Sequence, residues 1–209
     1  MTRIGVLNYG TGNVVSVLKS FSEIVECPLV ISKPDDLEKV DALVLPGVGH
    51  FGSAMRHLMK NSLLTVVRSV IGSGLPTLGI CLGFQLLCEG SEEDLLTNGL
   101  CFYPFRASRL NLRRETRLKV PHIGWNSVSP VMGSSVLFKG LSSDNLYFYF
   151  ANSFGVKVSD TAIVSTSYSH GDHYFASLES NSIFGVQFHP EKSGQQGLKV
   201  LENFTRSIR

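Results

Sequence analysis

The chain has 209 residues, enough for one ordinary domain or two small ones. Lys and Arg total 19 against 17 Asp and Glu, a net charge of +2, and only 17 % of residues are charged while 43 % are hydrophobic. That balance excludes a disordered chain and argues against a nucleic-acid binder driven by bulk positive charge. So few charges also imply an unusually apolar surface, which a partner protein would cover. No apolar run approaches the roughly 18 residues of a membrane span, and the opening MTRIGVLNYG breaks at Asn8 before a signal-peptide core forms. The four cysteines (27, 81, 88 and 101) form no C-x-x-C pair and no closely spaced metal set, so a cytoplasmic, thiol-reduced protein without metal is expected.

Residues 3–8 read as a short strand entering the glycine turn Gly10-Thr11-Gly12, after which Asn13 caps a helix to about Ser22. A second buried strand, 40–45, ends at Pro46-Gly47-Val48-Gly49. The apolar spacing of Met55, Leu58, Met59, Leu63, Val66, Val67 and Val70 predicts one helix over 53–71, stopped by Gly72 and Gly74. A third strand follows at 75–80 and a helix at 84–88. Apolar strands alternating with helices imply an α/β fold, an open and mostly parallel sheet covered on both faces. After residue 100 short strands are expected at 101–107, 125–128, 135–138, 146–153, 161–168, 174–179 and 182–188, some of them antiparallel. A helix over 194–207 closes the chain. With no linker or repeat, residues 1–209 are expected to be a single domain.

The sharpest motif is Gly79-Ile80-Cys81-Leu82-Gly83, which has the form of a nucleophile elbow with cysteine at its tip. A sharp strand-to-helix turn exposes the central side chain, and small flanking residues tolerate the crowding. The competing reading is a buried cysteine between two packing glycines, and it is the context of an apolar strand before and an apolar helix after that favours chemistry. Cys27, Cys88 and Cys101 lack that context and are expected to be packing residues. A thiol nucleophile needs a base and often an orienting acid. His189 ends the apolar strand 182–188, and Glu191 points to the same side of an extended backbone. No Asp or Glu occurs between Asp41 and Glu89, so any acid serving Cys81 comes from elsewhere in the fold or is Glu89 or a later residue.

Backbone amides of Val48 and Gly49, with that of Leu82 after the nucleophile, are candidates for an oxyanion hole; the alternative is a plain tight turn. His170, Asp172 and His173 share a polar turn but lack a further metal ligand. Arg106, Arg109, Arg113, Arg114, Arg117 and Lys119 form a basic cluster opposed only by Glu115, either a solvated hairpin or a rim for an acidic partner. The aromatics Phe102, Tyr103 and Phe105 precede the charges instead of interleaving with them, which weakens an RNA-binding reading.

LPGVG at 45–49, GICLG at 79–83 and GVQFHPEKS at 185–193 together resemble the class I, or triad-type, glutamine amidotransferases. NYGTGNVVSV at 8–17, LPGVGHFGSAM at 45–55, KVPHIGWNSV at 119–128 and GLKVLENF at 197–204 are similar to the glutaminase subunits of imidazole glycerol phosphate synthases in histidine biosynthesis. The resemblance spans essentially the whole chain. It implies Cys81 as nucleophile, His189 as base, Glu191 as orienting acid, and Gln85 and Glu93 as holders of the glutamine head group. It implies hydrolysis of L-glutamine through a cysteinyl thioester with no cofactor, and delivery of ammonia to a cyclase (β/α)₈ barrel in a heterodimer. A barrel needs roughly 250 residues, so that partner is expected to be a second polypeptide. Asn13, Trp125, Asn126, Tyr149 and Lys192 are implied at the subunit contact. Asn152, where the subfamily commonly has histidine, and Phe84, where methionine is common, depart from the pattern. The rival expectations are the glutaminase component of another amidotransferase, such as anthranilate synthase, and a catalytically silent regulatory protein of the same fold.

Overall fold

The structure is a computed structural model that describes residues 2–10, 13–112, 118–129, 134–159 and 163–208. Its central sheet begins with strands β1 (Ile4–Leu7), β2 (Leu29–Ile31), β3 (Ala42–Leu45) and β4 (Thr77–Ile80). It is completed by β11 (Val164–His170), β12 (Asp172–Ser180) and β13 (Ile183–Val186) in the spatial order β11-β12-β13-β4-β3-β1-β2. From β13 to β2 every neighbouring pair is parallel; β12 and β11 extend the sheet antiparallel. The open α/β fold with antiparallel strands in the second half is as expected.

Strands buried on both faces need apolar residues of both parities. Ile4, Val6, Val44, Leu78, Ile80 and Val186 point into one core with Val17 and Phe21 of helix α1 (Val14–Ser22) and Phe204 of α5 (Gly194–Ser207). Leu7, Leu43 and Leu45 point into the other. There they meet Met55 and Leu58 of α2 (Phe51–Lys60), Val67 of α3 (Leu63–Gly72) and Phe84 of α4 (Leu82–Leu87).

The single helix expected over 53–71 is two helices. Asn61 caps α2, its side-chain amide donating to the His57 carbonyl at 2.9 Å, and Ser62 takes a left-handed φ of 57°. The chain turns there and the helical phase resets, so Leu63 and Val67 are buried while Met59, assigned to the apolar face, is half exposed. No strand forms over 135–138. The Glu179 carboxylate accepts from the Val136 amide at 2.8 Å, the Leu137 amide at 3.4 Å and the Ser135 hydroxyl, removing the donors a ladder needs. Burial raises the pKa of that carboxyl.

A second sheet was not foreseen in full. It joins β5 (Cys88–Ser91), β6 (Asp94–Asn98), β7 (Tyr103–Arg109) and β10 (Phe154–Val156) in the order β10-β7-β5-β6. A separate ribbon pairs β8 (His122–Ser127) with β9 (Tyr147–Asn152) in antiparallel register. Thr11 and Gly12 of the first glycine turn, Thr161 and Ala162 of one predicted strand, and Arg113, Arg114, Glu115 and Arg117 of the basic cluster lie outside the described residues.

Candidate active site

Cys81 stands between β4 and α4 with φ 50° and ψ −101°, a conformation that L-residues adopt at a cost of about 1–3 kcal/mol. The surroundings hold it there. Its amide donates to the Val186 carbonyl at 2.7 Å, and its carbonyl accepts from the Gln85 amide at 3.1 Å. The flanking glycines are required sterically. A Cβ on Gly79 would lie 2.7 Å from Gly83 backbone atoms, one on Gly83 2.0 Å from the Leu45 carbonyl oxygen, and one on Gly47 1.7 Å from that of Ile80. The two glycine loops are therefore packed backbone to backbone. Beneath them Phe84 fills the space over Gly185, where a Cβ would lie 2.2 Å from the ring, and meets Tyr103 edge-on at 6.0 Å. The bulkier ring at position 84 is thus accommodated by a glycine on β13.

His189 follows β13, its amide donating to the Tyr149 carbonyl at 2.8 Å. The imidazole is fully buried, and Nδ1 lies 2.8 Å from Glu191 Oε1. Because a carboxylate only accepts, Nδ1 carries the proton and Nε2 is left for Cys81. Nε2 is buried and makes no well-aligned hydrogen bond among the described residues. Burial pulls the imidazole pKa down, but the charge and close approach of Cys81 and then the hydrogen bond and charge of Glu191 outweigh it and push it up to about 10. Thiolate and imidazolium sustain one another in such a pair.

The Glu191 side chain is itself fully buried, and its Oε1 also accepts from the Asn13 side chain. Asn13 was expected to cap α1 and to lie at a subunit contact. It makes no side-chain cap and instead holds the carboxylate, with a left-handed φ of 87° aiming it there.

An unfolded histidine releases its proton near pH 6.5, so stability from the His189 proton is complete below that pH and lost as pH rises through about 10. Wild-type protein is expected to lose ~2 kcal/mol more than Glu191→Gln between pH 7 and 10. The neutral amide supports the imidazolium less, and urea midpoints at the two pH values measure the difference. Equal losses would show that Glu191 does not hold that proton.

A cleft of about 160 Å³ opens beside Cys81, lined by Gly47, Val48, Gly49, Leu82, Gln85 and Glu93 and by the stretch 151–154. All the residues expected for oxyanion and glutamine contacts meet there. Glu93 accepts from the Phe51 amide at 2.7 Å, which fixes it across the mouth of α2. Gln85 donates through Nε2 to the Phe154 carbonyl at 2.9 Å and to Gln187 Oε1 at 3.1 Å. Asn152 also lines the cleft, its amide donating to the Phe154 carbonyl and the Tyr168 hydroxyl, each at 2.9 Å. A larger cleft of about 790 Å³, between 134–140 and α5, contains none of these residues.

Trp125, Tyr149 and Lys192 lie together beside His189 and Glu191, whereas Asn126, the neighbour of Trp125 along the strand, points to the opposite side of its ribbon. Trp125 and Tyr149 are cross-strand partners on the β8–β9 ribbon, their rings edge-on at 6.3 Å, and Lys192 Nζ lies 5.7 Å from the Tyr149 ring centre. Ile123, Trp125 and Tyr147 are 64 %, 57 % and 49 % exposed, an apolar strip on the outer side of the ribbon. Asn126 donates to the Ser169 carbonyl at 2.9 Å.

Elsewhere the chemistry is absent or diverted. His170 contacts the Lys119 carbonyl at 2.8 Å and stacks on His122, Asp172 pairs with Lys157 at 2.8 Å, and the described residues contain no metal-binding cluster. Of the cysteines expected to be packing residues only Cys88 is buried, which pushes its thiol pKa up; Cys27 and Cys101 are exposed. No helix among the described residues is long and apolar enough to cross a membrane. Gln187 lies within the 185–193 motif two residues before His189, and its residue type alone carries no sign of a role at the site.

An elbow cysteine backed by a buried histidine–carboxylate pair at the carboxyl edge of an α/β sheet defines a class of enzyme-type site. The family model for class-I glutamine amidotransferases matches residues 7–208, and the chain belongs to that family. Among curated relatives it is 42 % identical over 206 residues, covering 99 % of each chain, to the imidazole glycerol phosphate synthase subunit HisH of Methanothermobacter thermautotrophicus. The subunit of the same name from Bacillus subtilis is 38 % identical over 205 residues, covering 97 % of this chain and 95 % of the relative. The fold is shared with a crystal structure described as a glutamine amidotransferase (TM-score 0.74, 16 % identity, 97 % of each chain). It is shared also with PurLQS from Thermotoga maritima (TM-score 0.72, 19 % identity, 100 % and 99 % of the two chains).

Proposed function

We propose that the chain is the glutaminase subunit of a cytoplasmic imidazole glycerol phosphate synthase, acting through Cys81, His189 and Glu191. The observation that carries the chemistry is the buried His189–Glu191 pair, 2.8 Å apart, set against the strained cysteine of the elbow. Glutamine enters the cleft with its side-chain carbonyl beside Cys81. The thiolate attacks that carbon, and the oxygen takes the developing charge against amides of the Val48–Gly49 turn and of Leu82. The C–N bond then breaks as the imidazolium of His189 protonates the departing nitrogen, because an amide anion is a very poor leaving group. Ammonia and a glutamyl thioester result. His189, now neutral, accepts a proton from water as it attacks the thioester, and glutamate leaves as the Cys81 thiolate and imidazolium are restored. Glu191 keeps the Nδ1 proton in place throughout.

Whole-chain identity to subunits named for this synthase supports the pathway, and the apolar strip around Trp125 supports a partner. Tyr149 belongs to that strip and its carbonyl accepts the His189 amide, so a protein docked there would bear on the base through one hydrogen bond. We read the partner as a cyclase barrel subunit that receives ammonia. The test is to mix the chain with the cyclase subunit from its own source and assay glutamate release with and without the aminating ribonucleotide substrate. Release is expected to rise at least ~10-fold on adding both. No rise with that barrel, or a rise only with an anthranilate synthase partner, would overturn the pathway while leaving the glutaminase chemistry standing.

A further inference from the structure

Gln187 is fully buried directly after β13, its backbone amide continuing the ladder to the Ala176 carbonyl at 2.8 Å. Its side chain lies between two groups already described. Nε2 is 3.4 Å from Cys81 Sγ, and Oε1 accepts from Gln85 Nε2 at 3.1 Å. Gln85 Nε2 donates as well to the Phe154 carbonyl at 2.9 Å.

Side-chain amides present nitrogen and oxygen in nearly the same shape, so their orientation has to follow from partners. Here one backbone group decides it. The Phe154 carbonyl can only accept, so the end of Gln85 facing it is the NH₂ group. That same NH₂ reaches Gln187, which must answer with its oxygen. The NH₂ of Gln187 is then the end that faces sulfur. A neutral thiol is a weak acceptor and a thiolate a strong one, so a donor fixed against Sγ favours the charged, nucleophilic form.

We propose that Gln187 is a positioning residue for the nucleophile, holding Cys81 Sγ through an N–H···S hydrogen bond whose direction is imposed by Gln85 and the Phe154 carbonyl. The inference rests on Cys81 being the nucleophile. It adds a donor that carries no titratable proton. His189 gives up its charge when ammonia leaves, whereas Gln187 donates to sulfur before attack and again when the thioester releases the thiolate. Gln85 gains a second task beside the substrate, since its NH₂ is committed inward.

The test is iodoacetamide alkylation of Cys81, reached through the cleft beside it, across pH 5–10, resolved by peptide mass spectrometry because the exposed Cys27 and Cys101 react as well. Gln187→Met keeps the length and removes the donor. Its alkylation midpoint is expected about one pH unit above wild type, the consequence of losing one charge-assisted hydrogen bond. Its kcat for glutamine should fall roughly 10- to 100-fold with KM within about threefold, as for an interaction used mainly in the reacting complex. Gln85→Met frees the Gln187 amide to turn and should move the midpoint the same way by less, a readout that needs no glutamine. A wild-type midpoint in Gln187→Met overturns the proposal. Should that variant fail to fold, a wild-type midpoint in Gln85→Met overturns it instead. Failure of the underlying reading looks different: Cys81→Ala would keep its glutamine hydrolysis.

Discussion

Replacing Cys81 with Ala should cut glutamine hydrolysis by at least ~10⁴-fold while leaving the melting temperature close to wild type. The size follows from the chemistry: without sulfur there is no thioester, and residual rate comes only from binding and oxyanion contacts. The change in melting temperature should be a few degrees at most, because alanine suits the positive φ no worse than cysteine and only one buried atom is lost. Glutamate release in the assembled complex, with melting measured alongside, is the experiment. Retained turnover in Cys81→Ala would remove the elbow from the mechanism, whatever the family membership. Glu191→Gln should cost less than loss of the nucleophile, because Glu191 orients the proton carrier and does not transfer the proton itself.

A large loss of stability is expected at a glycine of the elbow. Gly83→Ala puts a Cβ 2.0 Å from the Leu45 carbonyl oxygen; that oxygen is backbone and the Cβ is fixed by its own backbone, so neither can swing away. The elbow and the end of β3 must separate by an ångström or more. A penalty above about 3 kcal/mol is expected, or a fall in melting temperature of about 6–12 °C for a chain of this size. Activity should fall with it, since Leu82 and Cys81 ride on the same turn. Gly72→Ala is the matched control: it ends α3, a Cβ there meets nothing within 4 Å, and its melting temperature should change little. Equal effects at the two positions would mean that the interlock of the glycine loops is not what holds the elbow.

Much of the site was legible along the chain because its parts are local. The elbow needs small residues around one reactive residue at a strand-to-helix junction, and Gly79, Cys81 and Gly83 supply them within five positions. His189 and Glu191 form the expected pair at 2.8 Å, but through a tight 3-10 turn over Pro190–Lys192 and not through the extended backbone expected of them. The C-terminal helix was read at its observed bounds because Leu198, Leu201 and Phe204 recur at helical spacing before any breaker. Asn13 misled for the same reason that it is useful. A short polar side chain ahead of a helix is ordinarily a cap, and only its proximity to residue 191, 178 positions away, redirects it. Strands β5, β6 and β10 are short and interrupted by glycine or polar residues without regular alternation, so pairing partners and not local pattern make them strands.

Taken alone, then, this short and weakly charged sequence determined an α/β sheet covered on both faces and the cysteine, histidine and carboxylate set within it. It did so because reactive motifs and apolar periodicity are properties of neighbouring residues. The tertiary structure decided which distant groups complete the site: Asn13 on Glu191, Gln187 on Cys81, Glu93 on the α2 amide, and the Trp125 strip beside the base. Those contacts depend on strand order and register, and a hydrogen bond across a sheet leaves no trace in the order of residues along the chain.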